Sequence, residues 1–384
     1  MDRRNFDGDV VFLLTGFFVK QMKVLIIGNG SIDNDHRGGY WINRHTGNFL
    51  LKLKHHGIEV TFCDFEVCRT GFLHDFDLSA SEIPALPVST QGLFRKILGI
   101  ASVFRRVHRV DLVYVFCPGT LSKIVSLYCL LIGKPLSLYV RGGKFGHSIL
   151  DRWVIGSAKF ALTVSPLLRE RIEKLCRKVD TIRPMTDLKV EHLSASKPWT
   201  AFPTVIRFLF VGRIEESKGV FDLINAAEHL RSQGFQIQLR IVGDGPSMAA
   251  ARELIQQKHL IQSIELVGQL NNFDELLAEY GNADAFVFPT HHEGFPRVLL
   301  EAMTKSCPVF TTMVGGIPGI MKNNENCFEI PVKDPLGIAN TILRSMNNVL
   351  DWKRIADSGN ITAKKVLFER AEHHELFLGQ CACL

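Results

Sequence analysis

Residues 288–309 read FPTHHEGFPRVLLEAMTKSCPV, and this stretch joins an apolar strand to a helix. The residues that lead into it, ADAFVF (283–288), share Phe288 with this stretch and have the composition of a buried strand. Pro296 suits the first turn of the following helix, because proline lacks the amide hydrogen that this turn leaves unpaired. The apolar face of that helix is formed by Val298, Leu299, Ala302 and Met303.

Strands and helices alternate on both sides of this stretch. Apolar runs such as KVLIIG (23–28) and IRFLFVG (206–212) predict strands buried on both faces, each followed by a helical pattern. A polar segment with two prolines, residues 189–203, interrupts this alternation of strands and helices and predicts a linker. The pattern therefore predicts an α/β protein with two Rossmann-like, doubly wound domains that face a central cleft. The predicted domains are residues 22–188 and 204–345, and helices in 346–384 are expected to pack back towards the first domain.

The first 21 residues precede this pattern. They contain an apolar run of ten residues, VVFLLTGFFV (10–19), which is shorter than the roughly 20 residues that span a bilayer. Arg3 and Arg4 resemble the charged start of a signal peptide, but no small-residue cleavage site follows before Met22. An extension from an upstream start codon is favoured over a loosely attached strand.

Composition excludes several classes of protein. The chain has 384 residues, 46% of them apolar, and a formal charge of +6, which fits neither a disordered chain nor a nucleic-acid-binding protein. Its nine cysteines form no CxxC pair, so neither a disulfide scaffold nor a zinc site is indicated. We therefore expect a cytoplasmic protein.

A candidate phosphate site lies in residues 211–219, VGRIEESKG. Arg213 follows a predicted strand end, and Lys218 lies near the start of the next helix. Free amide groups at a helix N-terminus and two full positive charges suit a diphosphate. The alternative is a pair of solvated surface cations.

Two acids accompany the helix of the opening stretch. Glu293 lies just before it and Glu301 lies inside it. Carboxylates accept hydrogen bonds from vicinal hydroxyl groups, so the two could hold two parts of one elongated ligand. The alternative is that Glu293 complements the helix dipole and that Glu301 is an exposed helix residue.

The pattern E-G-F-P-x-x-x-x-E-A-M, followed by C-P-V, resembles the signature of glycosyltransferase family 4, whose members are retaining enzymes of the GT-B fold. Three further segments occur in the order of that family, VGDGP (242–246), VGQL (267–270) and VGGIPGI (314–320). The resemblance implies that Arg213 and Lys218 bind the donor diphosphate. It also implies that Glu293 contacts the donor sugar and Glu301 the ribose. Glu293, Arg213 and Lys218 are therefore the predicted catalytic residues. Besides Glu301, the predicted substrate-binding residues are Gly38, Gly39, Arg141, Gly212, His292, Gly294, Phe295 and Pro296.

Two positions depart from the family pattern. Gly319 stands where a Glu is common, and the strand LSLYV (136–140) ends in Arg141 where a His is frequent. Arg141 could neutralise the leaving phosphate or bind an anionic acceptor. Catalysis of this kind needs no protein nucleophile, only positioning and electrostatic stabilisation.

The resulting prediction is a retaining, hexosyltransferase-type enzyme. It would use a nucleotide-diphosphate sugar and a glycan or lipid-linked acceptor, in the biosynthesis of a surface polysaccharide or glycolipid. No metal or other cofactor and no nucleic acid is expected, because the two D-x-D triplets (33–35 and 75–77) lack the strand context of a metal site. A nucleotide-sugar epimerase of the same fold and an inactive nucleotide-sugar-binding homologue stay open.

Residues 94–109 form a basic, amphipathic segment, FRKILGIASVFRRVHR. A core helix with one solvated face is favoured for such a pattern. Peripheral contact with an anionic membrane, at its inner face, stays open as a hypothesis.

Overall fold

The computed structural model describes residues 22–34, 39–67, 74–141, 145–195 and 197–384. The strands of the first domain are β1 (Lys23–Ile27), β2 (Ile32–Asn34), β3 (Tyr40–Ile42), β4 (Glu59–Val67), β5 (Phe76–Asp77), β6 (Ala85–Ser89), β7 (Leu112–Cys117), β8 (Leu136–Val140), β9 (Ala161–Thr163) and β10 (Val179–Thr181). Its helices are α1 (Arg44–His55), α2 (Leu93–Val107), α3 (Thr120–Leu131), α4 (Ile149–Ser157) and α5 (Pro166–Ile172).

These strands form one sheet in the order β10-β9-β8-β7-β1-β4-β2-β3-β5, and β6 also pairs with β4. Pairing is parallel except around β3, which runs antiparallel to β2 and β5. Alternate residues of β1 face opposite layers of helices. Val24 packs with Phe49 of α1, whereas Leu25 packs with the layer that contains Val103 of α2. Burial on both faces explains the continuous apolar runs of these strands.

The second domain contains β11 (Val205–Val211), β12 (Gln236–Val242), β13 (Ile264–Gly268), β14 (Ala285–Phe288), β15 (Val309–Thr311) and β16 (Phe328–Glu329). Its helices, followed by the final helix of the chain, are α6 (Val220–Ser232), α7 (Met248–Gln257), α8 (Phe273–Asn282), α9 (Arg297–Thr304), α10 (Pro335–Ser345), α11 (Val349–Phe368) and α12 (His373–Cys381). The sheet order is β13-β12-β11-β14-β15-β16, with parallel pairing throughout.

The last two helices divide between the domains. Trp352 of α11 is fully buried in the second domain, where its ring lies 5.4 Å from that of Phe310. Phe377 of α12 is fully buried in the first domain, with its ring 6.1 Å from that of Phe49. The chain therefore crosses back to the first domain between these two helices.

Most predicted elements are confirmed, and the differences are local. Helix α5 ends at Ile172, and the chain then turns to begin β10 at Val179. Residues 74–90 contain β5 and β6. Among the described residues β6 pairs only with β4, so Pro87 lies on an edge strand, where a missing amide hydrogen is tolerated. In the described part of the chain, no helix is both long and apolar enough to cross a membrane.

Candidate functional site

The loop between β14 and α9 carries Glu293 to the carboxyl edge of the second sheet. Pro296 is the N-cap of α9 and not a first-turn residue, because the helical conformation begins at Arg297. Leu299, Ala302 and Met303 are buried, as the sequence predicts, and Val298 is partly buried. These apolar residues fix α9 on the sheet, so the loop before it has a defined position.

Lys218 meets Glu293 at this edge, through an ion pair between Nζ and Oε1. Lys218 ends a short 3-10 helix, and Gly219 then leads into α6 with φ +71°. A side chain at Gly219 would bring Cβ to 2.0 Å from the carbonyl oxygen of Pro289, so this approach of the two loops requires glycine. The Lys218 side chain is 21% exposed and that of Glu293 is 15% exposed. The two predicted residues therefore share one half-buried site, which we call the Lys218–Glu293 site.

Arg213 lies on the neighbouring strand end and is more open. Its Nε lies 3.4 Å from Glu215 Oε2, and its side chain is 52% exposed. Gly212 precedes it, and a Cβ at Gly243 would lie 1.9 Å from the Gly212 carbonyl oxygen. The loops after β11 and β12 thus stack closely beside the Lys218–Glu293 site.

The glycines of residues 314–320 approach the same loop from β15. Gly315 has φ +59°, and a Cβ there would lie 1.8 Å from the carbonyl oxygen of Glu293. The amide of Gly316 donates to the carbonyl of Gly294 at 2.7 Å. A Cβ at Gly319 would lie 2.5 Å from Ser165 Oγ of the first domain. An acid at position 319 would therefore require the Ser165 hydroxyl to move.

Glu301 has a different environment from Glu293. It is 8% exposed, and its Oε2 accepts a hydrogen bond of 2.8 Å from the hydroxyl of Tyr280. Burial raises the pKa of its carboxyl group, which the nearby charge of Arg297 opposes. The alternative of an exposed helix residue is wrong, because the side chain points into the domain. Contact with a ribose stays a prediction.

The first domain contributes Arg141 at the end of β8. Its Nη1 lies 3.2 Å from Asn29 Oδ1, and its guanidinium lies 5.0 Å from the centre of the Tyr139 ring. A Cβ at Gly294 would lie 2.3 Å from the carbonyl oxygen of Arg141, so the two domains touch at this point. Gly39 lies just before β3, and Gly38 lies outside the described residues.

The two histidines of the loop behave differently. His291 pairs with Asp222 of α6 at 2.6 Å, whereas His292 is exposed. Phe295 packs partly buried against the core of the second domain. Among the predicted residues, the structure thus brings Lys218 to Glu293 and Arg141 to Gly294.

Three residues near the site were missed in the sequence analysis. Arg297 opens α9 and faces the first domain, where its Nη1 donates to the carbonyl of Met185 at 3.1 Å. The signal for Arg297 was its place within the quoted motif, directly after Pro296. Tyr280 and Ser165 come from distant parts of the chain, and no local pattern indicates either of them.

Comparison with known proteins identifies the second domain. Residues 195–360 match the family described as glycosyl transferases group 1. The chain carries a group 1 glycosyl transferase domain. This domain contains Arg213, Lys218, Glu293 and Glu301, all the predicted donor-binding charges of the second domain.

Related proteins share part of the chain. This chain is 28% identical over 209 residues to a glycogen synthase of Mycobacterium tuberculosis. The aligned region covers 53% of this chain and 48% of that protein. It is 29% identical over 170 residues to the capsular polysaccharide biosynthesis glycosyltransferase CapM of Staphylococcus aureus, covering 42% and 44%. The chain thus matches about half the length of these relatives.

Solved structures share the fold over most of the chain. Anabaena Alr3699/HepE in complex with UDP-glucose superposes with a TM-score of 0.66 at 16% identity, covering 94% of this chain and 100% of that one. The lipopolysaccharide outer core galactosyltransferase WaaB gives a TM-score of 0.62 at 18% identity, covering 94% and 99%. The fold is GT-B, as the sequence predicts.

Proposed function

We propose that the protein is a retaining, hexosyltransferase-type glycosyltransferase. It would move a sugar from a nucleotide-diphosphate sugar to a glycan or lipid-linked acceptor, in the biosynthesis of a surface polysaccharide or glycolipid. The observation that carries the proposal is the Lys218–Glu293 site, where a cation and a carboxylate meet at the carboxyl edge of the sheet in a group 1 domain. In open α/β sheets, ligands bind at this edge.

The residues have separable tasks in this proposal. Lys218 and Arg213 balance the charge of the diphosphate as the sugar departs, which lowers the barrier electrostatically. Glu293 exchanges its contact with Lys218 for hydroxyl groups of the donor sugar. The hydroxyl of Tyr280 donates a hydrogen bond to Oε2 of Glu301. In the described part of the chain Oε1 of Glu301 accepts no hydrogen bond, and this oxygen is the one proposed to accept from the ribose.

The names of the structural neighbours support a nucleotide-sugar donor. Alr3699/HepE is solved with UDP-glucose, and WaaB is described as a galactosyltransferase. CapM is described as an enzyme of capsular polysaccharide biosynthesis. We extend these activities to this chain only as a proposal, together with a metal-independent reaction.

The first experiment is a thermal-shift screen of the purified full chain with UDP-, GDP- and ADP-sugars. A bound donor raises the melting temperature by mass action. The stabilising donor is then incubated with saccharide and lipid-linked acceptors, with and without EDTA, and released nucleoside diphosphate is measured. Acceptor-dependent release that EDTA leaves unchanged is expected.

Other outcomes distinguish the alternatives. An epimerase would change the sugar nucleotide without an added acceptor. An inactive homologue would bind the donor and release nothing with any acceptor. Loss of release on adding EDTA, with recovery on adding Mg²⁺ or Mn²⁺, would contradict the metal-free reaction.

Two helices of the first domain support a membrane contact for a lipid-linked acceptor. Phe94 of α2 is 73% exposed and Trp153 of α4 is 67% exposed. Arg95 and Arg152 are exposed beside them. Both helices belong to the same layer, and each begins near the carboxyl edge of the sheet. Exposed apolar side chains flanked by cations suit an anionic bilayer.

Liposome flotation tests this contact. The full chain should float with vesicles of phosphatidylglycerol and phosphatidylcholine and not with phosphatidylcholine alone. A Phe94→Ser/Trp153→Ser variant should lose flotation, whereas Ile261→Ser, which alters an apolar residue of the second domain that is 65% exposed, should retain it. Equal flotation of the double variant and the control would contradict the proposed surface.

A further inference from the structure

A cavity of about 110 Å³ lies between the two domains, at the ends of β8 and β9 and beside the start of α9. It exceeds the roughly 30 Å³ that one water occupies in the liquid, so it can admit a small polar group. The lining residues that matter here are Tyr139, Arg141, Ser165, Met185, Phe295 and Arg297. We call it the Arg141–Arg297 cavity. Because Gly294 touches the backbone of Arg141, the cavity adjoins the loop that carries Glu293.

Arg297 enters this cavity with little compensation for its charge. Its Nη1 donates to the carbonyl of Met185 at 3.1 Å. Within the described part of the chain no carboxylate oxygen lies within 4.0 Å of the guanidinium, although Glu301 and Asp187 attract it from farther away. A guanidinium has five N–H donors, so most of its capacity is left for another partner.

Arg141 faces the same cavity from the first domain. Asn29 and the rings of Tyr139 and Phe116 are its neutral partners, and in the described chain it has no carboxylate within ion-pair distance. Ser165 is 2% exposed, and its Oγ has no hydrogen-bond partner among the described residues. Buried polar groups are normally paired, so the Ser165 hydroxyl is available to a group bound in the cavity that it lines together with the two arginines.

Neighbouring titratable groups show the excess of positive charge. The pKa of His45 is lowered to about 3, first by burial and then by Arg297, Arg44 and Arg141. The pKa of Arg297 is lowered by burial, and the charge of Arg141 lowers it further. Burying like charges together is costly unless an anion joins them.

We propose that the Arg141–Arg297 cavity binds the carboxylate of an acidic sugar, with the two guanidinium groups and Ser165 Oγ as donors. Guanidinium groups pair with carboxylates through two parallel hydrogen bonds, which gives both charge and geometry. The inference rests on the proposed transferase function and narrows its substrate class to a uronic acid. That acid is either the transferred sugar or the sugar that accepts it, since both meet between the domains.

Calorimetric titration of the full chain tests this subsite in two arms. The donor arm compares UDP-glucuronic acid with UDP-glucose, and GDP-mannuronic acid with GDP-mannose. The acceptor arm compares methyl glucuronide with methyl glucoside in the presence of UDP or GDP. At least tenfold tighter binding of the acidic member is expected in one arm, and that arm identifies the source of the carboxylate.

Variants separate the subsite from the diphosphate site. Arg297→Gln, and independently Arg141→Gln, should remove the preference for the acidic member and leave binding of bare UDP or GDP within about twofold. Arg169→Gln is the matched control, because Arg169 is half-exposed on α5 and pairs there with Glu173. Should one variant fail to fold, the other carries the comparison.

Two results would contradict the proposal that this cavity binds a carboxylate. One is equal binding of acidic and neutral members in both arms. The other is that the arginine variants lose affinity for bare UDP or GDP as strongly as for the acidic ligand. That result would assign the arginines to the diphosphate. Neither result contradicts the transferase function, which is tested separately by acceptor-dependent nucleotide release from the unmodified protein. Absence of that release with every donor would instead count against the transferase function, whatever the binding preference.

Discussion

Two pairs of opposite charges lie close together in the second domain, and they are arranged differently. Lys218 and Glu293 touch in a half-buried site. Arg297 and Glu301 lie one turn apart on α9, yet each takes a neutral partner, the carbonyl of Met185 and the hydroxyl of Tyr280. The first pair is proposed to exchange its contact for substrate, since both side chains are partly exposed. The second pair is held apart by the packing around it, which leaves the arginine directed at the first domain.

The largest expected effect concerns the pair that touches. Glu293→Gln removes the carboxylate proposed to accept from the donor sugar and leaves Lys218 without its partner. We expect kcat/KM for transfer to fall about 100-fold, since hydrogen bonds to charged groups contribute roughly 1.5–3 kcal/mol each. Acceptor-dependent nucleotide release measures it.

Glu228→Gln is the control for that change. Glu228 forms an ion pair with Lys258 on the outside of the same domain and should be replaceable without loss of transfer. Turnover of the Glu293→Gln variant at the wild-type rate would remove Glu293 from the mechanism.

The next effect concerns the neutral partner of Glu301. Tyr280→Phe deletes a fully buried hydroxyl and leaves Oε2 of Glu301 without its donor. The free energy of unfolding should fall by about 1–3 kcal/mol, the cost of an unsatisfied buried group. Urea unfolding measures it, with Tyr128→Phe as the control, because the Tyr128 hydroxyl bonds to His108 at the surface of the first domain. Equal losses in the two variants would contradict this account of Glu301.

The smallest effect compares the two cations directly. Arg297→Met keeps much of the side-chain length and removes a buried charge that no carboxylate contacts, so the ligand-free protein should gain about 1 kcal/mol of stability. Lys218→Met should lose up to about 1 kcal/mol, because Glu293 loses its partner. Thermal unfolding of the two variants without ligand measures both changes. A loss of stability in the Arg297→Met variant would show that the long-range attraction of Glu301 and Asp187 already compensates Arg297.

Much of the proposed donor site could be predicted from the sequence, whereas the environment of its residues could not. The residues from 283 to 303 predicted the strand, the loop and the helix, because periodicity and turn residues act locally. The same pattern assigned both glutamates to a ligand, whereas the structure shows that Tyr280 holds one oxygen of Glu301. Tyr280 lies on a different helix, and burial of Glu301 depends on how that helix packs.

By itself, the sequence determined two domains of alternating strands and helices and the placement of Lys218 and Glu293 at one sheet edge. These follow from burial of strands on both faces and from glycines at the ends of strands, which are local properties of the chain. The GT-B fold was implied by the resemblance of the motif at 293–303 to glycosyltransferase family 4. Only the tertiary structure decided that Arg141 and Arg297 face one cavity, because these residues belong to different domains and are far apart in the sequence. Their meeting depends on the packing of two domains, and no local pattern contains that information.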